Sequence, residues 1–285
     1  MKLAPLELRQ PASLRDALGQ LAALGTDGQV LAGGQSLLPL LRYRVVNPQV
    51  LIDINGISEL KGVASSPDGL RIGALVRHAE LERPGSDIPP VLGALLAAHA
   101  REIAFAPVRR RGTVVGSLVQ ADPKGDWPLL FCALDARIEL ASVRTTRAMP
   151  VRTFIQGPLE TARALDEIAV ALTVPHANAA IDAWGRSKLM HRAGEYAMCS
   201  ALALRRGRQW ECWAGAAGDR PEPLPALAEA LAKDEDAPPR AYLMARAAEA
   251  IRQAFSDLDP VASHRHAVNA VDAVQQALHR VNAYE

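Results

Sequence analysis

The segment Val30-Leu31-Ala32-Gly33-Gly34-Gln35-Ser36-Leu37-Leu38 decides how the rest of the chain reads. An apolar run containing a β-branched residue ends in two adjacent glycines, and a polar residue and a serine then open a helical pattern. Paired glycines after a strand let the backbone turn sharply and leave main-chain N–H groups facing outward with no Cβ in the way. At a helix start such a concavity suits a diphosphate, because the N–H groups and the helix dipole both favour negative charge. A second glycine-bearing loop, Gly112-Thr113-Val114-Val115-Gly116-Ser117, lies well downstream, and the expectation is that the two loops form one site. Neither loop has the GxGxxG spacing of the dinucleotide fingerprint, and neither carries the Lys-Ser or Lys-Thr of a Walker loop. Taken alone, the first loop is also readable as a plain strand-to-helix turn.

The chain has 285 residues, is 49% hydrophobic and carries a formal net charge of +1. That length divides into two or three domains, and the composition can bury a substantial core. The near-neutral charge gives no basis for a nucleic-acid or membrane-surface partner. Arg109-Arg110-Arg111 is the densest basic cluster and reads as a solvated or interface turn, with an anion contact as the alternative. Cys132, Cys199 and Cys212 are odd in number and show no CxxC spacing, which argues against a disulfide framework, an iron–sulfur cluster or structural zinc. The stretch Met1 to Glu7 has a proline and charges where a signal segment would be apolar, and no run approaches membrane-spanning length. The expectation is a soluble, cytoplasmic chain.

Leu3 to Leu8 reads as a strand, and Ser13 with Asp16 opens a helix carrying Leu14, Ala17, Leu18, Leu21 and Leu24. Gln29 to Leu31 feeds the first glycine loop, Ser36 to Tyr43 is a short helix, and Val50 to Ile54 is a buried strand. Leu60 to Val63 and Leu70 to Ala74 read as a hairpin through Pro67-Asp68-Gly69. Pro89-Pro90 precede a helix; Ile103 to Gly112 reads as a loop, and Thr113 to Val119 as an apolar segment interrupted by Gly116. Asp126-Trp127-Pro128 opens another helix, followed by strands at Ala136 to Leu140, Arg147 to Val151 and Glu167 to Val174. Lys188 to Cys199 is a charged stretch. Ala201 to Leu204 and Gln209 to Ala214 pair as a hairpin, Pro221 to Pro225 is a linker, and helices cover Leu224 to Leu231, Arg240 to Phe255 and Ala262 to Ala283. The last of these carries Val268, Val271, Leu278 and Val281 on one stripe, and the alanine-rich passages read as helix filler.

Ala32-Gly33-Gly34-Gln35-Ser36-Leu37 followed by Leu51-Ile52-Asp53-Ile54-Asn55 resembles the FAD-binding medium subunit of molybdenum hydroxylases, the family of carbon monoxide and xanthine dehydrogenases. The resemblance continues through Leu70 to Ala74 with His78, Val108 to Ser117, Ala121 to Pro128 and Arg192 to Ala197. It implies an α+β chain: a two-subdomain FAD-binding fold of the vanillyl-alcohol-oxidase/CO-dehydrogenase type, divided at 1–57 and 58–177, plus a small C-terminal α+β domain at 178–285. It further implies that the backbone of Ala32, Gly33, Gly34, Gln35, Ser36 and Leu37 cradles the FAD diphosphate, with Thr113, Val115, Gly116 and Ser117 supplying the other half. Asp126 matches the family aspartate on the ribose and adenine side. Ile168 matches an apolar position at the flavin, Lys188 a lysine near the isoalloxazine, and Tyr196 an aromatic beside it. Read from the residues alone, Asp126 is also a helix N-cap, Tyr196 a core aromatic and Lys188 a solvated cation. His78, His99 and His191 have no clustered partners, and no catalytic or metal role is expected of them.

One departure stands out. The family's second loop usually has glycine where Val115 stands, and a β-branched side chain there restricts φ and crowds the approach to a diphosphate. The resemblance therefore implies an FAD-containing electron-transfer subunit. Its expected partners are a large molybdenum-cofactor subunit and a small [2Fe–2S] subunit in a dimer of heterotrimers, with an external electron acceptor. The alternatives are an assembly subunit that has lost FAD and a stand-alone flavin oxidase.

Overall fold

The computed structural model describes residues 3–233 and 238–282; the Val281 side chain and the expected helix end at Ala283 lie outside them. Local rules are followed closely at the start of the chain. Strand β1 (Glu7–Arg9) is shorter than the Leu3 to Leu8 expectation. Ser13 then caps helix α1 (Leu14–Leu24) by accepting from the Asp16 amide. The helix buries Ala17, Leu18 and Leu21, the stripe its spacing sets out. Strand β2 (Gly28–Leu31), helix α2 (Leu37–Arg42) and strand β3 (Val50–Asp53) follow, and β1, β3 and β2 form a parallel sheet in that order.

The second sheet is antiparallel. Strands β4 (Val63–Ser66) and β5 (Gly69–Gly73) make the expected hairpin, with the first arm displaced by the 3-10 turn Ser58–Leu60. Helix α3 (Pro90–Arg101) comes next. The segment Ile103 to Gly112 is not a loop: it holds helix α4 (Ala106–Arg111), whose second position is Pro107, where the missing N–H costs nothing. The apolar segment after Thr113 is helix α5 (Val114–Gln120), and Asp126 begins α6 (Asp126–Ala133). Strands β6 (Arg137–Ala141) and β7 (Thr146–Pro150), the turn of helix α7 (Val151–Phe154), the ribbon of β8 (Ile155–Gly157) and β9 (Glu160–Thr161), and strand β10 (Ile168–Pro175) complete this part. The sheet order is β4-β5-β10-β6-β7, with the nearly all-buried β10 at its centre.

The third sheet, also antiparallel, has the order β11 (Ala183–Leu189), β12 (Cys199–Arg206), β13 (Gln209–Gly215) and β14 (Glu222–Pro223). Helices α8 (Pro225–Lys233), α9 (Arg240–Ala254) and α10 (Pro260–Asn282) cover one face. Strand β12 is apolar on both sides because both of its faces are buried. Ala201 and Ala203 face the helices, while Leu202 and Leu204 join the core of the first two sheets. The expected Val271 is buried, with Val274, but the alanines of α10 are not filler: Ala267, Ala270, Ala273 and Ala277 make up the rest of its buried stripe, whereas Val268 is half-buried. They let the helix lie so close that a Cβ on Gly185 of β11 would sit 1.8 Å from the Ala273 carbonyl oxygen. The linker expected at Pro221 to Pro225 contributes the edge strand β14, and β11 lies where no strand was expected.

Candidate functional site

Strand β2 ends at Leu31, and Gly34 takes a positive φ of 73° to swing the chain into α2. Gly33 is needed for a different reason. A Cβ there would lie 2.6 Å from the Arg111 carbonyl oxygen and 2.7 Å from the Gly112 Cα, so the two glycine turns touch main chain to main chain. Across this contact, the amide N–H groups of Gly33, Gly34, Gln35 and Ser36 find no acceptor among the described residues. In α5, the Val114 amide donates to the Val76 carbonyl and the Gly116 amide to Thr113 Oγ1 at 3.1 Å, which leaves the Val115 amide without a partner among the described residues. Two sets of free donors thus border one cavity of about 430 Å³, a size suited to a cofactor.

The position of Val115 bears on the crowding expected of it. It is the second residue of a helix, where φ is negative for every residue type, and its side chain is 2% exposed within the core. Gly116 is the position that refuses a side chain, since its Cβ would meet Thr113 Oγ1 at 2.5 Å and break the cap. What read as a second loop is a capped helix start.

Asn55 and Arg77 link the turns. Asn55 Nδ2 donates to the Ala32 carbonyl at 2.8 Å, and the Arg77 guanidinium donates both to Asn55 Oδ1 and to the Arg111 carbonyl. Burial lowers the Arg77 pKa, with the neighbouring Arg111 adding to the effect. The arginine run is only partly the solvated turn it reads as: Arg109 pairs with Glu82 at 2.5 Å and donates to the carbonyls of Ile103 and Ala104, so its anion is internal.

At another part of the wall, Asp126 is the first residue of α6 rather than its cap, which is Gly125. Its two oxygens are held by Arg186 at 2.7 Å and Lys188 at 2.9 Å. These cations come from alternate positions of β11 and so share one face of the strand. Arg186 also donates to the Ala98 carbonyl and pairs with Glu102 at 2.5 Å. The Lys188 side chain is 2% exposed, not solvated; it donates to Asp126 and to the Glu102 carbonyl and keeps one of its three protons free. Asp126 and Lys188, expected at different regions of a bound cofactor, therefore meet the cavity as one ion pair.

All fourteen residues singled out from the sequence border this single cavity: Ala32 to Leu37, Thr113, Val115, Gly116, Ser117, Asp126, Ile168, Lys188 and Tyr196. Ile168, at the head of β10, supplies an apolar wall. Tyr196 is 59% exposed at the rim, not a core aromatic; beside it Gly194, at φ 86°, receives the Phe105 ring, which a Cβ would meet at 2.7 Å. Other lining residues escaped sequence reasoning. Glu167 is held below the usual carboxylate range by its hydrogen bond from Arg147, and burial lowers the Arg163 pKa. His78 lies beside Gly112. Arg186, which holds Asp126 from behind and does not line the cavity, was missed because strand β11 was missed; the alternation Trp184-Arg186-Lys188 was its one available signal.

Residues 4–177 match the family described as the FAD binding domain in molybdopterin dehydrogenase. The chain is 34% identical over 206 residues to the nicotine 6-hydroxylase medium subunit of Paenarthrobacter nicotinovorans, covering 72% of this chain and 70% of that one. It is 34% identical over 200 residues to the carbon monoxide dehydrogenase medium chain of Hydrogenophaga pseudoflava, covering 70% and 69%. Among solved structures, quinoline 2-oxidoreductase from Pseudomonas putida 86 superposes with a TM-score of 0.88 at 26% identity over the full length of both chains. Carbon monoxide dehydrogenase from Hydrogenophaga pseudoflava superposes at 0.86 and 28% identity, covering 98% of this chain and 99% of that one.

Proposed function

The chain belongs to the family of FAD-binding domains in molybdopterin dehydrogenases, and from that membership we propose that it is the electron-transferring medium subunit of a heterotrimeric molybdenum hydroxylase. The observation that carries the reading is the pair of abutting glycine turns, which touch main chain to main chain at Gly33 and whose unpaired main-chain donors border one cavity. Such neutral, fixed donors suit a diphosphate without the cost of ordering long side chains. In this reading Ala32 to Leu37 and Thr113 to Ser117 hold the diphosphate. Asp126 accepts from cofactor hydroxyls with the lone pairs its cations leave free. Lys188 directs its remaining proton, and its charge, at the cofactor. Ile168 packs against the flavin and Tyr196 shields one side at the rim. Bound FAD supplies the redox chemistry. The chain's own residues bind and orient it, and no acid–base pair or nucleophile is required of them.

The division into two FAD-binding subdomains, 1–57 and 58–177, and a C-terminal domain, 178–285, belongs to the same proposal. So do a large molybdenum-cofactor partner, a small [2Fe–2S] partner, a dimer of heterotrimers, an external acceptor and a cytoplasmic setting. No helix among the described residues is long and apolar enough to cross a membrane. The rival reading, an assembly subunit without FAD, drew its support from Val115, and the helical, core-facing position of that residue removes the support. The test is a reconstitution: the flavin-loaded chain is mixed anaerobically with its prereduced iron–sulfur partner, and the flavin absorbance is followed. Rapid bleaching that requires the partner is expected. A flavin that stays oxidised beside the reduced partner overturns the electron-transfer assignment.

A further inference from the structure

His78 opens the 3-10 turn His78–Glu82, and its side chain is 6% exposed. Trp127 Nε1, on the fully buried indole, donates to His78 Nδ1 at 2.9 Å. An indole N–H can only donate, so Nδ1 carries a lone pair and the imidazole proton resides on Nε2. The core thus selects the tautomer. The same bond orients the ring, and the His78 amide, bound to the Gly112 carbonyl at 3.1 Å, anchors the backbone that carries it.

The Nε2 edge faces the junction of the two glycine turns. A Cβ on Gly112 would lie 2.6 Å from Nε2, and the Gly112 Cα is the atom that a Cβ on Gly33 would strike. The ring borders the cavity with Gly33, Gly112 and Thr113, and Nε2 has no acceptor among the described residues. An oriented donor that opens on the cavity with no protein acceptor is available to a ligand, and here it stands among main-chain donors in the same condition. We propose that His78 is a further FAD-binding residue, donating Nε2–H to a diphosphate oxygen where the two turns meet. The inference rests on the flavin reading above. Burial, with Arg77 and Arg109 nearby, lowers the ring pKa to about 4, so the donor stays neutral and the Trp127 bond is kept at physiological pH.

The test uses the full chain freed of flavin and carrying 15N-labelled histidine, titrated with FAD and separately with ADP, which has the diphosphate but no flavin. The expected spectrum shows His78 protonated at Nε2, with that nitrogen shifting on addition of either ligand while Nδ1 stays in place. His78→Leu is expected to weaken FAD binding by about 10–100-fold, with His78→Asn recovering part of the loss by restoring a donor. Trp127→Phe removes the same internal hydrogen bond but leaves the ring, and is expected to weaken FAD by no more than a few-fold. An Nε2 signal unmoved by saturating FAD, or unchanged affinity in His78→Leu, overturns this inference alone. A wild-type chain that takes up no FAD overturns the flavin reading as well.

Discussion

Arg77 donates its guanidinium to the side-chain oxygen of Asn55, and each of the two also holds a carbonyl beside one glycine turn, Arg111 and Ala32 respectively. The spacing of the cradle is thus set by side chains that need never touch the ligand. Asn55→Ala leaves the Ala32 carbonyl and the guanidinium without these partners. The expected result is a stability loss of about 1–3 kcal/mol, together with FAD affinity weakened by roughly tenfold or more. Urea unfolding of the flavin-free chain and FAD titration separate the two effects.

Restoring the usual glycine at the second turn is expected to harm this chain. Val115→Gly removes a buried side chain and places glycine inside α5, which together cost about 2–4 kcal/mol. FAD affinity per folded molecule is expected to stay within a few-fold of wild type. A large gain in affinity would mean that Val115 does obstruct the cofactor.

Asp126→Asn leaves Arg186 and Lys188 buried against a neutral amide. Truncating one member of a buried ion cluster costs about 3–5 kcal/mol. Lys188→Met removes a charge together with its need for a partner and is expected to cost less. Equilibrium unfolding of both variants checks the order.

Acid is expected to destabilise the flavin-free chain. Burial lowers both His78 and His266 from 6.5 to about 4. An unfolded imidazole takes up its proton as pH falls through 6.5, but these two do so only near 4. Between those values the unfolded state binds more protons, so stability that is full above 6.5 is lost at about 1.4 kcal/mol per pH unit per site. Glu167, lowered by its hydrogen bond from Arg147, adds to the loss below 4.5. His266 Nδ1 has no partner among the described residues, so His266→Leu is expected to fold and to show an acid slope shallower by about one proton. Urea midpoints measured across this pH range give the slope.

Gly185→Ala sets a Cβ against the main chain of α10. The helix has to move off the sheet, at a cost of about 3 kcal/mol or more. Hydrogen exchange across Pro260–Asn282 is expected to accelerate well before exchange in the parallel sheet does.

Features governed by local chemistry were legible in the sequence: the Ser13 cap, the β2-to-α2 glycine turn, the β4–β5 and β12–β13 hairpins, and the proline-led α3. Features set by contacts distant in sequence were not. Helix α4 was hidden by its proline and arginines, and β11 by the charges of Arg186 and Lys188, which are tolerable in a buried strand because Asp126 and Glu102 wait across the seam. The alanines of α10 carried no sign of a helix packed closely on Gly185. His78 looked isolated because its partner Trp127 is 49 residues away. The residues expected at the two glycine turns lie together because their motifs mark where main chain faces the cavity, while Asp126, Ile168, Lys188 and Tyr196 reach it with side chains from other elements.

The most direct measurement is the flavin content of the purified chain, by visible absorbance and by acid release and identification of the cofactor. One FAD per chain, held at the two glycine turns and weakened by Asn55→Ala, is the predicted result. A chain that carries no flavin, alone or within its complex, and takes none up from excess FAD would contradict it.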